Sequence, residues 1–150
     1  MKRSQRLKPV LGVALREQDT LARQSQLARQ HLQQAEDKLS QLRQYHQEYA
    51  QRLHPGQGQR LDIAHLQEAR LFLQRLADAI NLQGQEVQRQ QVRSAEAEQA
   101  WITARQHCQS LENLLEQYRA EERDARDRAD QARADDLAGQ RHVWLAGREH

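Results

Sequence analysis

The chain has 150 residues, with 23 basic and 21 acidic side chains, a formal net charge of +2 at pH 7, and only 37% hydrophobic and 4% aromatic residues. This low apolar fraction argues against an ordinary globular core, and the small net charge gives no general attraction to nucleic acid or anionic lipid. Ala, Leu, Glu, Arg and Gln make up most of the sequence, which is typical of long helices and coiled coils.

The N-terminus carries no clear targeting signal. Its apolar run, PVLGVAL, is short for a signal peptide, and the charged REQ follows it without a cleavage pattern. No run approaches the ~20 apolar residues of a membrane span. A single cysteine, Cys108, cannot form an internal disulfide and suits a reducing compartment. We therefore expect a protein of a reducing compartment.

The first predicted helix covers about residues 9–53. Pro9 fits its first turn, where the missing N–H costs nothing. Apolar residues then recur at alternating spacings of three and four, the period of a left-handed coiled coil. The predicted core residues of this helix are Leu21, Leu32, Leu39 and Leu53.

A break at 54–61 separates this helix from the next. Pro55 cannot continue a helix, and Gly56 and Gly58 supply the backbone freedom of a turn. So short a break between two heptad helices predicts that the second folds back along the first.

The second predicted helix covers about residues 62–138, with Asp62 as its N-cap and a flexible tail over 139–150. Its heptads continue without a skip as far as Tyr118, and Cys108 is predicted to be a small buried residue on the same seam. The predicted core residues are Leu66, Leu73, Ile80, Val87, Trp101, Leu111, Leu115 and Tyr118.

These elements predict a single all-α domain, an antiparallel coiled-coil hairpin whose second helix is longer. Folding back from the turn puts Leu11 opposite roughly residue 103, and the second helix overhangs beyond that point. The segment 119–136 carries closely spaced opposite charges and an alanine stripe. It is either a helix stabilised by its own ion pairs or an arm that docks on a partner.

No residue pattern indicates catalysis. The sequence has no phosphate-binding glycine loop, and its histidines form no metal-ligand spacing. His107 and Cys108 are consecutive in a helix and so point about 100° apart. The basic MKRSQRLK does not continue into a nucleic-acid-binding stripe. We expect no enzyme activity, no cofactor, no metal and no nucleic-acid partner.

Two aromatic residues, Tyr45 and Phe72, lie off the seams, each directly before a seam position. The hairpin brings them near each other, close to the turn. They either cover the edge of the seam or form an exposed patch that binds a partner.

The stretches QQAEDKLSQLRQYHQEYAQRL, LQEARLFLQRLADAINLQ and AEQAWITARQHCQSLENLLEQY resemble the FliJ family of flagellar export proteins. The off-seam Tyr45 and Phe72, together with Trp101 and the length of the break, carry the resemblance. It implies a cytoplasmic antiparallel coiled coil that resembles the stalk of rotary ATPases. The patch that contacts the export gate would consist of Leu42, Tyr45, Tyr49, Phe72, Leu76, Ala79 and Gln83.

The resemblance also implies partners: the hexameric export ATPase, whose ring the protein would help to assemble, the cytoplasmic domain of the membrane export gate, and export chaperones. The ATPase contact would lie within about 105–138. The protein would sit at the cytoplasmic face of the inner membrane without inserting into it. Polar seam residues such as Gln18 and Gln90 predict a monomer when isolated. The stalk of a virulence-type secretion system and a generic structural coiled coil remain alternatives.

Overall fold

The computed structural model describes residues 1–53 and 62–148. Almost all of them lie in two helices, α1 at Arg3–Arg52 and α2 at Ile63–Arg148, and no strand occurs in these ranges. The predicted all-α helical hairpin is confirmed, since the two helices pack against each other. The predicted turn at 54–61 lies outside the described residues.

The unit formed by Gln18–Thr103 shows antiparallel packing. Near the end of α1, the Tyr49 ring meets the Phe72 ring early in α2, with centroids 4.8 Å apart. Further back along α1, the carbonyl of Ala35 accepts a hydrogen bond of 3.0 Å from the side-chain amide of Gln83. Earlier positions of α1 therefore contact later positions of α2.

The other unit joins Met1–Glu17 to the part of α2 that begins at Ala104. The Ser4 hydroxyl donates to one carboxylate oxygen of Glu122 at 2.7 Å, and the Ser4 backbone N–H donates to the other at 3.2 Å. Because the first N–H groups of a helix have no partner within the helix, Glu122 caps the start of α1 from the opposite helix.

Small side chains occupy most of the buried positions, and most large side chains are only half-buried, with Gln83 and Leu115 as exceptions. A helix in a two-helix interface leaves one side of most large residues open to water, so small residues on the seam are covered more easily. The residues of the predicted core all lie at buried or half-buried positions, and Val87 and Leu115 are the most buried of them. The buried residues are Ser4, Ala14, Ser25, Ala35, Ala69, Gln83, Val87, Cys108 and Leu115.

The predicted start of α1 near residue 9 is wrong, because the helix begins at Arg3 and Pro9 lies inside it. Proline has no N–H, so the carbonyl of Gln5 loses its usual helical donor. The contact between Ser4 and Glu122 stabilises the turn before the proline. The sequence analysis took Pro9 as the first turn of the helix, because proline prefers that position. The contact between Ser4 and Glu122 outweighs this local preference and lets the helix begin earlier.

The bounds of α2 agree with prediction at one end. Asp62 occupies the N-cap position, since its carbonyl accepts the first helical hydrogen bond from Leu66 at 3.0 Å. At the other end α2 continues to Arg148, past the predicted limit at 138. Gly139 costs about 1 kcal/mol relative to alanine, which the surrounding helix-forming residues tolerate.

The overhang of α2 begins later than the sequence predicted. The helix α1 starts earlier, at Arg3, and the helices also pair differently: the contact between Ser4 and Glu122 puts Leu11 opposite about residue 115 rather than 103. Every residue of 123–148 is exposed. We call 123–148 the arm; at 1.5 Å per residue it extends for roughly 39 Å.

Candidate functional site

An open groove lies in the last turns of α1 and the first turns of α2, within the unit Gln18–Thr103. Its volume is about 320 Å³. The residues that line it, called the aromatic groove below, are Tyr45, Glu48, Tyr49, Arg52 and Phe72.

The three rings of the aromatic groove differ in exposure. Tyr49 is a seam residue and is half-buried, while Tyr45 and Phe72 are 58% and 45% exposed. Phe72 meets Tyr49 edge-on, with ring planes at 60°. Phe72 therefore packs on the seam edge, whereas Tyr45 is exposed to solvent, and the binding of a partner by these rings stays a prediction.

Charged side chains border the rings. Glu48 and Arg52 each follow an aromatic residue by three positions and so lie beside it on α1. Glu48 also accepts a hydrogen bond of 3.1 Å from the side-chain amide of Gln44. Sequence reasoning did not select Arg52, although its place one heptad after Tyr45 puts it on the same face.

The structure separates the predicted gate-binding residues into two sets. Leu42, Leu76 and Ala79 are half-buried behind the aromatic groove. Gln83 is 9% exposed, and its amide is directed into the helix interface toward the carbonyl of Ala35. Gln83 is therefore an interface residue in this fold rather than part of an exposed surface.

The predicted ATPase-contact region, about 105–138, is also divided. Its first part pairs with the start of α1, where the Arg3 guanidinium lies 5.8 Å from the centroid of the Tyr118 ring. Its second part belongs to the arm, where the alanine stripe faces solvent. The sequence analysis assigned both parts to one overhang because it started α1 too late and paired Leu11 with about residue 103 rather than 115.

The buried Ser4 was missed by sequence reasoning, which assigned it no role. It lies one heptad before Leu11, so extending the heptad pattern past Pro9 would have put it on the seam. Glu122 lies one heptad after Leu115 and so continues the seam of α2. A hydroxyl and a carboxylate at facing seam positions are the signal that could have found the contact.

These groups can bind a partner through aromatic and charged contacts, and their arrangement suits docking. Over 1–53 and 62–148, no three His, Cys, Asp or Glu side chains come together as metal ligands would. Neither helix, over its described length, has a stretch long and apolar enough to cross a membrane.

A family model described as "Flagellar FliJ protein" matches residues 2–144. The chain belongs to the FliJ family. The matched range includes all of α1 and α2 as far as Trp144. It therefore contains the residues of the aromatic groove as well as Ser4 and Glu122. No curated protein and no solved structure gives a significant match. Membership in the FliJ family makes the chain a structural component of the flagellar type III export apparatus.

Proposed function

We propose that this chain is a non-enzymatic stalk and adaptor of flagellar export, which promotes assembly of the export-ATPase ring and couples that ring to the membrane export gate. The observation that carries the proposal is the exposed ring of Tyr45 beside the pair formed by Tyr49 and Phe72. Tyr45 lines one groove together with Tyr49 and Phe72, and clustered aromatic rings of this kind are common anchors in protein interfaces.

The aromatic groove is the proposed contact for the cytoplasmic domain of the export gate. Tyr45 supplies exposed area, Phe72 is held in place by Tyr49, and Glu48 and Arg52 supply charges at the rim. This arrangement has an aromatic centre and a polar border, which is the usual composition of a protein interface.

The arm, with the paired segment before it, is the proposed contact for the export ATPase. The alanine stripe of the arm lets another surface approach the helix closely, and no part of α1 covers it. The FliJ family further suggests that export chaperones bind the chain and that it works at the cytoplasmic face of the inner membrane.

The gate contact is tested with Tyr45→Ala and binding to the purified cytoplasmic domain of the export gate, measured by calorimetry. Tyr45 is exposed, so the free energy of unfolding should change by less than about 0.5 kcal/mol. The dissociation constant should rise roughly tenfold, as for an aromatic anchor. Leu82→Ala removes an equally exposed apolar residue outside the groove and is the control. Unchanged gate binding by Tyr45→Ala would refute the docking role.

The export function itself is tested by deleting the gene in the source bacterium. Loss of both swimming in soft agar and secreted flagellin, restored by the intact gene, is the expected result. Complementation with Tyr45→Ala should restore both only weakly. Normal swimming by the deletion strain would contradict a role in flagellar export.

A further inference from the structure

The arm carries a second heptad pattern, separate from the seam that joins α1 to α2. Along one face of the arm, alternating spacings of three and four define a set that we call the outer seam. All of its residues are exposed. The outer seam consists of Asp127, Asp130, Ala134, Leu137, Arg141, Trp144 and Arg148.

The outer seam lies away from the alanine stripe. The stripe, which includes Ala125 and Ala132, continues the seam of the hairpin. At 100° per residue, Leu137 lies more than a quarter-turn around the helix from both. The arm therefore has a further face that neither α1 nor the proposed ATPase contact needs.

Charge is distributed along the outer seam from acidic to basic. Asp127 and Asp130 come first, Leu137 lies in the middle, and Arg141 and Arg148 come last. None of the ion pairs within the described residues involves Asp127, Asp130 or Arg141. Such a pattern is complementary to itself when one copy runs in the opposite direction to another.

Large apolar groups remain uncovered on the same face. Leu137 is 66% exposed and Trp144 is 58% exposed. The Arg148 guanidinium lies over the Trp144 ring at 4.2 Å, which shows that these two residues share one side of the helix. An exposed Trp and Leu at coiled-coil spacing indicate a missing helix partner.

We infer that the outer seam pairs with the outer seam of a second copy of this chain, as an antiparallel two-helix contact centred on Leu137. Asp130 and Trp144 are equally far from Leu137 on its two sides, so each faces the other across the pair. Asp127 then lies opposite Arg148, and Arg141 lies one turn from the facing Asp130. The contact is symmetric, because every pairing occurs twice.

Reversing the charge pattern tests this pairing in the full-length chain. One variant carries Asp127→Arg and Asp130→Arg, and the other carries Arg141→Asp and Arg148→Asp. In either variant alone, like charges meet at both ends of the antiparallel pair. In a mixture of the two, opposite charges meet at both ends again. All changes lie in the exposed arm, and circular dichroism checks that helicity is retained.

Sedimentation equilibrium measures the mass at low salt and at protein concentrations up to about 0.5 mM, because so short a helical contact is weak. The wild-type mass should equal the 17.6 kDa of one chain at low concentration, as the polar residues of the hairpin seam predict, and should rise above it at high concentration. Each variant alone should stay at 17.6 kDa, and the equimolar mixture should regain the higher mass.

The matched control is Asp124→Arg with Asp135→Arg, the same two Asp→Arg changes placed off the outer seam, which should still associate. A wild-type mass of 17.6 kDa at every concentration would overturn the inference and leave the outer seam to a different protein. A mixture that stays monomeric, or a control that loses association as the variants do, would also overturn it.

Discussion

Gln83 shows how a polar side chain can belong to a helix interface. Its amide donates to the backbone carbonyl of Ala35 across the interface, and the residue is 9% exposed. A buried amide must keep a partner, and the backbone of α1 supplies one here, so the side chain can stay in the interface. Gln83 therefore has a structural role in the helix interface, although the family resemblance would assign its side chain to gate binding.

Replacing Gln83 by Ala should lower the free energy of unfolding by about 1–2 kcal/mol, because it removes the hydrogen bond and leaves a gap. Urea unfolding measures this loss. Gln83→Leu, which keeps the volume and adds apolar surface, should be at least as stable as the wild type. Gate binding by folded Gln83→Ala should be unchanged; a loss comparable to that of Tyr45→Ala would show that the side chain takes part in docking.

Glu122 makes the stability of the first turns of α1 depend on pH. The hydrogen bond from the Ser4 hydroxyl lowers the pKa of the Glu122 carboxyl below its ordinary value of 4.5, and the Ser4 backbone N–H and nearby Lys2 and Arg119 act in the same direction. A carboxyl whose pKa is lowered in the folded state stabilises that state above the ordinary pKa. This contribution is lost as the pH falls through the lowered pKa.

The expected result is that amide exchange in the first turns of α1 accelerates, relative to the intrinsic rate, as the pH falls from about 4.5 through the lowered pKa. Ser4→Ala should raise the pKa of Glu122, as followed by NMR of its side-chain carboxyl. Ser40→Ala, on an exposed position of α1, is the control. An unchanged Glu122 pKa in Ser4→Ala would show that the hydroxyl is not the cause of the shift.

At the scale of the helix, Gly84 is a position at which a substitution should stabilise α2. Gly84 lies inside α2, and an added Cβ there would meet no atom within 4 Å. Alanine loses less conformational freedom on folding, so Gly84→Ala should add about 0.5–1 kcal/mol and raise the Tm by roughly 2–4 °C. Gly139→Ala makes the same change in the arm and should raise helicity without moving the Tm of the hairpin. A lower Tm for Gly84→Ala would indicate a steric conflict that the structure does not contain.

The helices themselves were predictable because heptad spacing depends only on the order of apolar residues. The same order correctly placed Leu115 and Val87 in the interface and put Tyr45 outside it. The start of α1 was not predictable from local preference, because proline favours a first turn and the contact from Glu122 comes from the far end of the other helix. The direction of the Gln83 side chain could not be predicted from the spacing either. A glutamine on a seam can turn toward the partner helix or toward water, and the heptad spacing is the same in both cases.

At the scale of the whole molecule, paired helix and arm should behave as separable parts. A chain that ends at Glu122 keeps every contact described between α1 and α2, and among the described residues it loses only exposed ones. Its Tm should therefore match that of the full chain, while its stimulation of ATP turnover by the purified export ATPase should fall. A chain shortened to Cys108 is the comparison, because it also loses the partner of Ser4 and should melt earlier. Full stimulation by the chain ending at Glu122 would remove the arm from the ATPase contact.

The scarcity of large buried side chains in the interface has a mechanical consequence. Leucines that repeat every heptad find equivalent neighbours if one helix slips by a heptad, a distance of about 10 Å along its axis. The carboxylate of Glu122 finds no such replacement, since a slip by one heptad brings Leu11 to the place of Ser4. The amide of Gln83 bonds a backbone carbonyl, which every residue of α1 offers, so resistance to a heptad slip is concentrated at the contact between Ser4 and Glu122.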